Sequence, residues 1–153
     1  SAIGQESAPD TADAAPAEDP VDYKALESPV AYTATSIKRG KNTYARYCTE
    51  CHGPDGKAQI DVIADATDLT TPQFWKHGTT PGEIFRSIRK GAGVAMPPFE
   101  IQMRREEDTW HVVNFVQSLW PPAKRPELRD ESEAPKAEEE AKVTPEEQGG
   151  DTP

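Results

Sequence analysis

Residues 48–52 read Cys48-Thr49-Glu50-Cys51-His52 and hold both cysteines of the chain. The C-x-x-C-H spacing is the pattern of covalent haem attachment. On one helical turn each thiol can add to a vinyl group of the same porphyrin, while the adjacent imidazole is carried under the ring to bind iron. Three blander readings compete. A structural zinc site needs four ligands, and beyond Cys48, Cys51 and His52 only His77 and His111 are available, at spacings that match no common zinc pattern. A thioredoxin-like pair expects a strand and helix framework, and no β-rich segment precedes Cys48. A disulfide across two intervening residues closes too small a loop to stabilise much. A pentapeptide also arises by chance, so the surroundings must decide.

Outward from the motif, composition divides the 153 residues into three. Residues 1–35 hold seven acids and one base, residues 36–120 ten acids and eleven bases, and residues 121–153 ten acids and five bases, so the net charge of -10 belongs to the ends. Nine of the 11 aromatics and all three histidines also fall between 36 and 120. We therefore expect a domain at 36–120, an acidic Ala/Pro-rich extension at 1–35 and an acidic Pro/Glu-rich tail at 121–153. Both ends are too poor in large apolar groups to offset the entropy of ordering them as a core. No stretch approaches the roughly 18 apolar residues of a membrane span. The chain begins at Ser1 with neither a methionine nor a charged-then-apolar leader, as expected of an exported protein whose signal was removed or lies outside the numbering. Ala/Pro/Asp linkers of this kind can tether a small domain to a membrane, through a lipid anchor, or to a neighbouring subunit.

Residues 36–120 resemble a class I cytochrome c, an all-α fold around one covalent haem c. In that family a glycine and an aromatic precede the first haem cysteine by eight and four residues, and those positions hold Gly40 and Tyr44 here. A glycine lets the first and last helices approach closely, with aromatic side chains filling the space beside it, and Phe115 is the expected contribution of the last helix. The family's sixth iron ligand is a methionine in a loop of the form G-x-x-M-P, matched by Gly93-Val94-Ala95-Met96-Pro97-Pro98-Phe99. The resemblance thus implies His52 and Met96 as the iron ligands, a pairing that raises the reduction potential. The prolines stiffen the loop. Met103 reads as packing, His77 as part of a turn, and His111 as a surface or interface histidine.

Helix signals fill in the frame. Ser36 to about Cys51 reads as the first helix, with Ile37, Tyr44 and Tyr47 inward and Lys38, Arg39, Lys41 and Arg46 outward. Thr80-Pro81-Gly82-Glu83 is a capping box, Gly91 ends its helix, and Ile84, Phe85 and Ile88 form a face expected to line the haem pocket. Arg105 to Leu119 carries three acids in its first turn and a stripe of Val112, Val113, Phe115, Val116 and Leu119 that should pack on the first helix. The resemblance adds Tyr44, Trp75, Pro97 and Phe99 to the cofactor contacts, with the Trp75 indole a candidate donor to a propionate. The GPDGK run at 53–57 matches the glycine-rich turn that follows the motif in many bacterial members. One departure stands out: family members often have a proline a dozen or so residues after the ligand histidine whose carbonyl accepts from the imidazole, and residues 58–71 contain none. The acceptor for His52 is therefore unnamed.

A haem with both axial positions filled implies single-electron transfer rather than bond chemistry, so the expectation is a redox relay and not an enzyme. The expected setting is a periplasmic or extracytoplasmic membrane face. The acidic ends favour a fixed subunit of a membrane-bound respiratory complex, similar to the monohaem subunits of quinol-oxidising complexes such as alternative complex III or of haem-copper oxidases. The alternatives are a diffusing or lipid-tethered shuttle and, from another class, a gas- or peroxide-reactive haem protein. The expected partners are redox proteins and not nucleic acid. Lys38, Arg39 and Lys41 are candidates for a docking face.

Overall fold

The computed structural model describes residues 19–59 and 65–133; of the acidic ends expected at 1–35 and 121–153, residues 1–18 and 134–153 lie outside the described residues. Among the described residues four α-helices follow in order, α1 (Ala34–Tyr47), α2 (Thr49–His52), α3 (Pro81–Lys90) and α4 (Glu106–Ser118), with short 3-10 turns at Pro72–Phe74, Pro122–Lys124 and Glu131–Glu133. Among the described residues the one β-type pairing is an isolated bridge between Ala92 and Met96, so the fold is all-α.

Each helix boundary has a local cause. The Thr33 hydroxyl accepts from the Ser36 amide and starts α1 two residues before the expected Ser36. The expected run to Cys51 is broken at Cys48, and α2 is a separate turn closed at Gly53 by a positive φ of 76°. At α3 the Glu83 amide donates to Thr80 Oγ1 (3.2 Å) and the Thr80 amide to Glu83 Oε1 (3.4 Å), completing the capping box. Glu106, Glu107 and Asp108 sit in the first turn of α4, where the helix dipole favours acids.

Helices α1 and α4 cross in direct backbone contact at Gly40, where a Cβ would stand 1.9 Å from the His111 carbonyl oxygen and 2.9 Å from Phe115 Cβ. Beside it the rings of Tyr44 and Phe115 lie 4.9 Å apart. On the other flank of α4, Trp110 stacks on Phe85 of α3 at 4.1 Å and 15°. The single apolar stripe expected for α4 understates it, because every residue from Thr109 to Gln117 is buried.

What encloses α4 is the segment preceding α1. Val30 belongs to the core, Tyr23 and Leu26 pack against it, and the Asn114 amide donates to the carbonyls of Ala31 (3.1 Å) and Val30 (3.4 Å) and to Ser36 Oγ (2.8 Å). A Cβ on Gly82 would meet the Tyr23 carbonyl oxygen at 2.0 Å. The boundary expected between residues 35 and 36 therefore falls inside packed chain. Three apolar side chains in a polar extension are enough, because they cover a helix face that would otherwise be wet. After α4 the chain returns along this segment, with the Arg129 amide donating to the Tyr32 carbonyl and the Thr35 amide to Glu131 Oε1, each at 2.9 Å.

Candidate functional site

Between α2, α3, α4 and the loop after α3 lies a cavity of about 790 Å³. That is within the roughly 300–1,000 Å³ of cofactor pockets. Cys48, Cys51, His52 and Met96 all line it, together with Tyr44, Trp75, Ile84, Ile88, Pro97 and Phe99. One cavity thus gathers ten of the eleven residues expected to meet a cofactor.

His52 is held by an acceptor that no motif named. Its Nδ1 lies 3.0 Å from the Thr67 carbonyl oxygen. A carbonyl can only accept, so Nδ1 carries the proton and Nε2 keeps the lone pair that binds a metal. Burial pulls the His52 pKa below its ordinary value, against a smaller upward pull from the Thr67 bond, which keeps the imidazole in its ligating neutral form. The missing proline is replaced by an ordinary residue fifteen positions on.

The thiols differ. Cys48 is buried, and burial with the neighbouring Cys51 pushes its pKa up to about 12, whereas Cys51 is exposed; both are free. Met96 is pinned through its backbone, accepting from the Ala92 amide at 3.1 Å and donating to the Ala92 carbonyl at 3.3 Å. At the far end of the loop the Phe99 amide donates to the Ile88 carbonyl at 3.0 Å, fastening it to α3. Two thiols, an imidazole with one nitrogen engaged and a thioether around one apolar cavity form a donor set that fits a covalent haem.

Three expectations need correction. Trp75 lines the cavity, but its indole donates to the Asp68 carbonyl at 3.0 Å, because the chain from 68 to 75 folds back on itself and the nearest acceptor is its own backbone. Phe85 does not line the cavity; one position from Ile84 on α3, it points to Trp110 instead. His111 is buried rather than at the surface, with Nδ1 2.8 Å from Ser36 Oγ and Nε2 3.2 Å from Glu107 Oε1. Lys38, Arg39 and Lys41, the candidates for a docking face, lie outside the cavity lining. Conversely, Val112 and Val116 of α4 and Leu69 line it unannounced; the i, i+4 spacing of the two valines is the one signal that places them on a common wall.

The family model described as cytochrome c oxidase, cbb3-type, subunit III matches residues 35–116. The cbb3-type cytochrome c oxidase subunit CcoP of Rubrivivax gelatinosus is 30% identical over 80 residues, 52% of this chain and 25% of that protein, so the chain spans about a quarter of this relative's length. Among solved structures, the reducing HAO-like protein complex of Kuenenia stuttgartiensis aligns with a TM-score of 0.51 at 25% identity, over 66% of this chain and 50% of that one. Cytochrome CL of Methylophaga aminisulfidivorans aligns with a TM-score of 0.42 at 19% identity, over 57% and 55% of the two chains. Matched over more than half its length, with the haem-attachment pentapeptide inside the match, the chain belongs to the family of cytochrome c oxidase, cbb3-type, subunit III, and is a class I cytochrome c, a protein of electron transfer.

Proposed function

We propose that the chain is a monohaem cytochrome that passes single electrons as a fixed subunit of a membrane-bound respiratory complex, on its extracytoplasmic face. Cys48 and Cys51 would hold the haem through thioethers, and His52 and Met96 would ligate its iron. The observation that carries this reading is that these four side chains line one cavity. When bound, the haem would supply a one-electron iron couple.

The chain's own residues do the rest. The Thr67 carbonyl orients the His52 ring and raises its basicity by holding the Nδ1 proton. Ile84, Ile88, Val112 and Val116 present an apolar wall that keeps water from the centre. The Ala92 pairing fixes the backbone from which Met96 reaches the cavity, so that its thioether is positioned without reordering the loop at each electron.

The fixed setting is supported by the names of the relatives, an oxidase subunit and a multi-protein complex, and by acidity concentrated in the ends. Two measurements test the proposal. Met96→Ala should retain covalent haem but bind carbon monoxide at once in the reduced state; an unchanged ligand-field spectrum would remove Met96 from the iron. Gentle detergent extraction, native separation with haem staining and mass spectrometry should place the haem band at high mass with quinol- or oxygen-handling subunits. A band at the chain's own mass would make it a shuttle or a tethered monomer.

A further inference from the structure

Beyond the electron-transfer reading, we propose that the exposed face of α1 is the docking site for the chain's own acidic C-terminal segment, residues 134–153. Helix α1 carries Lys38, Arg39, Lys41 and Arg46 and no acid, and all four bases are exposed. At 3.6 residues per turn they share one side of the helix, within an arc of about 160°. Toward α4 that side is closed by an ion pair, Arg39 Nη1 lying 3.7 Å from Glu107 Oε1. The Lys38 and Lys41 ammonium groups have no ion pair or hydrogen bond among the described residues. Exposed charge on a helix is ordinarily just solvated. What sets this face apart is the acidic chain that departs beside it.

After α4 the chain comes back to the start of α1. The Thr35 amide donates to Glu131 Oε1 at 2.9 Å, and the Arg129 amide to the Tyr32 carbonyl at the same distance. Glu131 thereby sets a carboxylate on a first-turn amide of α1, where the helix dipole favours negative charge, and that bond holds its pKa below the ordinary value. The described residues stop two positions later, at Glu133. One acid of the returning chain is thus already seated on α1, at the end from which the basic face begins. The other acidic end joins the described residues at Asp19, which accepts from the Tyr23 hydroxyl beside α3, so it is the worse placed of the two.

Charge and length both fit. Residues 134–153 hold six acids and two bases, and their densest run, Glu138-Glu139-Glu140, begins five positions after Glu133. Five extended residues cover about 17 Å, whereas Lys38 and Lys41 lie about 5 and 9 Å along the helix axis from Thr35. The acids therefore reach both lysines. Exposed ion pairs are individually weak, yet a short tether supplies these acids at millimolar effective concentration, which lets several act together. An outside acidic chain has no such advantage. With the tail docked, the basic face is closed to other acidic proteins. A partner that draws the tail away bares the face, so capture of the tail and opening of α1 are one event.

The test is lysine footprinting of the haem-loaded full chain with a small amine-acylating reagent, read by peptide mass spectrometry. At low salt Lys38 and Lys41 should acylate more slowly than in the variant Glu138→Gln/Glu139→Gln/Glu140→Gln, by roughly threefold or more. Lys76 and Lys90, elsewhere on the chain, should react alike in both, and helical circular dichroism checks that the variant keeps its fold. Salt at about 1 M, where charges are screened within about 3 Å, should remove the difference. Carbodiimide, which couples carboxylates only to amines in contact with them, should join Lys38 or Lys41 to residues 138–140 of the same chain, in a yield unchanged by dilution. Any of three results would overturn the proposal. Equal acylation in parent and variant would leave α1 to an outside acidic partner, couplings lost on dilution would give the face to the tail of a second copy, and couplings spread evenly over Lys76 and Lys90 would mean contact without a site.

Discussion

A Cβ on Gly40 would stand 1.9 Å from the carbonyl oxygen of His111, far closer than a Cβ can approach a non-bonded heavy atom. The crossing of α1 and α4 therefore exists only because residue 40 has no side chain. Gly40→Ala should force the helices apart and cost about 3 kcal/mol by overpacking. Denaturant unfolding of the haem-loaded protein, followed by helical circular dichroism, measures it. Parent-like stability would mean the helices can separate at no cost.

Gly82→Ala should act at a distance from the cavity. A Cβ there meets the Tyr23 carbonyl oxygen at 2.0 Å and Leu26 Cβ at 2.8 Å, while alanine itself favours the helix by about 1 kcal/mol. We expect α3 to persist and the segment around Tyr23 to lift away. Hydrogen exchange should report it as faster exchange at the Leu26 amide, which is bonded to the Tyr23 carbonyl, with α3 amides unchanged.

Tyr44 supplies a pH dependence with a definite sign. Its hydroxyl donates to the Gly53 carbonyl at 2.6 Å, and burial pushes its pKa far above the ordinary value of 10.0, with Cys48 and Asp55 adding to the rise. Below pH 10 the phenol is neutral in both folded and unfolded chains and stability is flat. Above it only the unfolded chain ionises freely, so stability falls as pH rises. Tyr44→Phe should cost about 1–2 kcal/mol at neutral pH through the orphaned Gly53 carbonyl, and should make the loss above pH 10 shallower. Unfolding midpoints collected from pH 7 to 11 would show both effects, and an equally steep alkaline decline in the variant would reject the assignment.

The two methionines separate cleanly. Met103 is 2% exposed, packs in the core, accepts a weak bond from Thr109 Oγ1 at 3.9 Å and does not line the cavity. Met103→Leu should change stability by less than about 1.5 kcal/mol, as volume-conserving swaps do, and leave the haem spectrum untouched. A spectral shift in this variant would reverse the roles given to Met96 and Met103.

Much of the frame was readable because its causes are local. The Thr80 and Glu83 pair, the spacing from Gly40 and Tyr44 to Cys48, and the glycine and prolines around Met96 act within a few residues of one another, where chain geometry leaves few alternatives. The acceptor for His52 was unreadable for the opposite reason: every residue carries a carbonyl, and only the path of the loop decides that Thr67 brings its own to the ring. Trp75 illustrates the same limit, since an indole N–H is satisfied by whichever acceptor the fold brings near, here its neighbour Asp68.

Composition does not register the packing of the segment before α1. It weighed the first 35 residues as a whole, whereas the core uses Val30, Leu26 and Tyr23 individually. By itself, then, the sequence determined the all-α class, the C-x-x-C-H spacing that marks the family and the capping box of α3, because these rest on spacings of a few residues. The tertiary structure decided the partner of His52, the burial of His111 and the closure of α4. These depend on contacts such as Asn114 to Val30, 84 residues apart, which form only when the packed helices exclude every other partner.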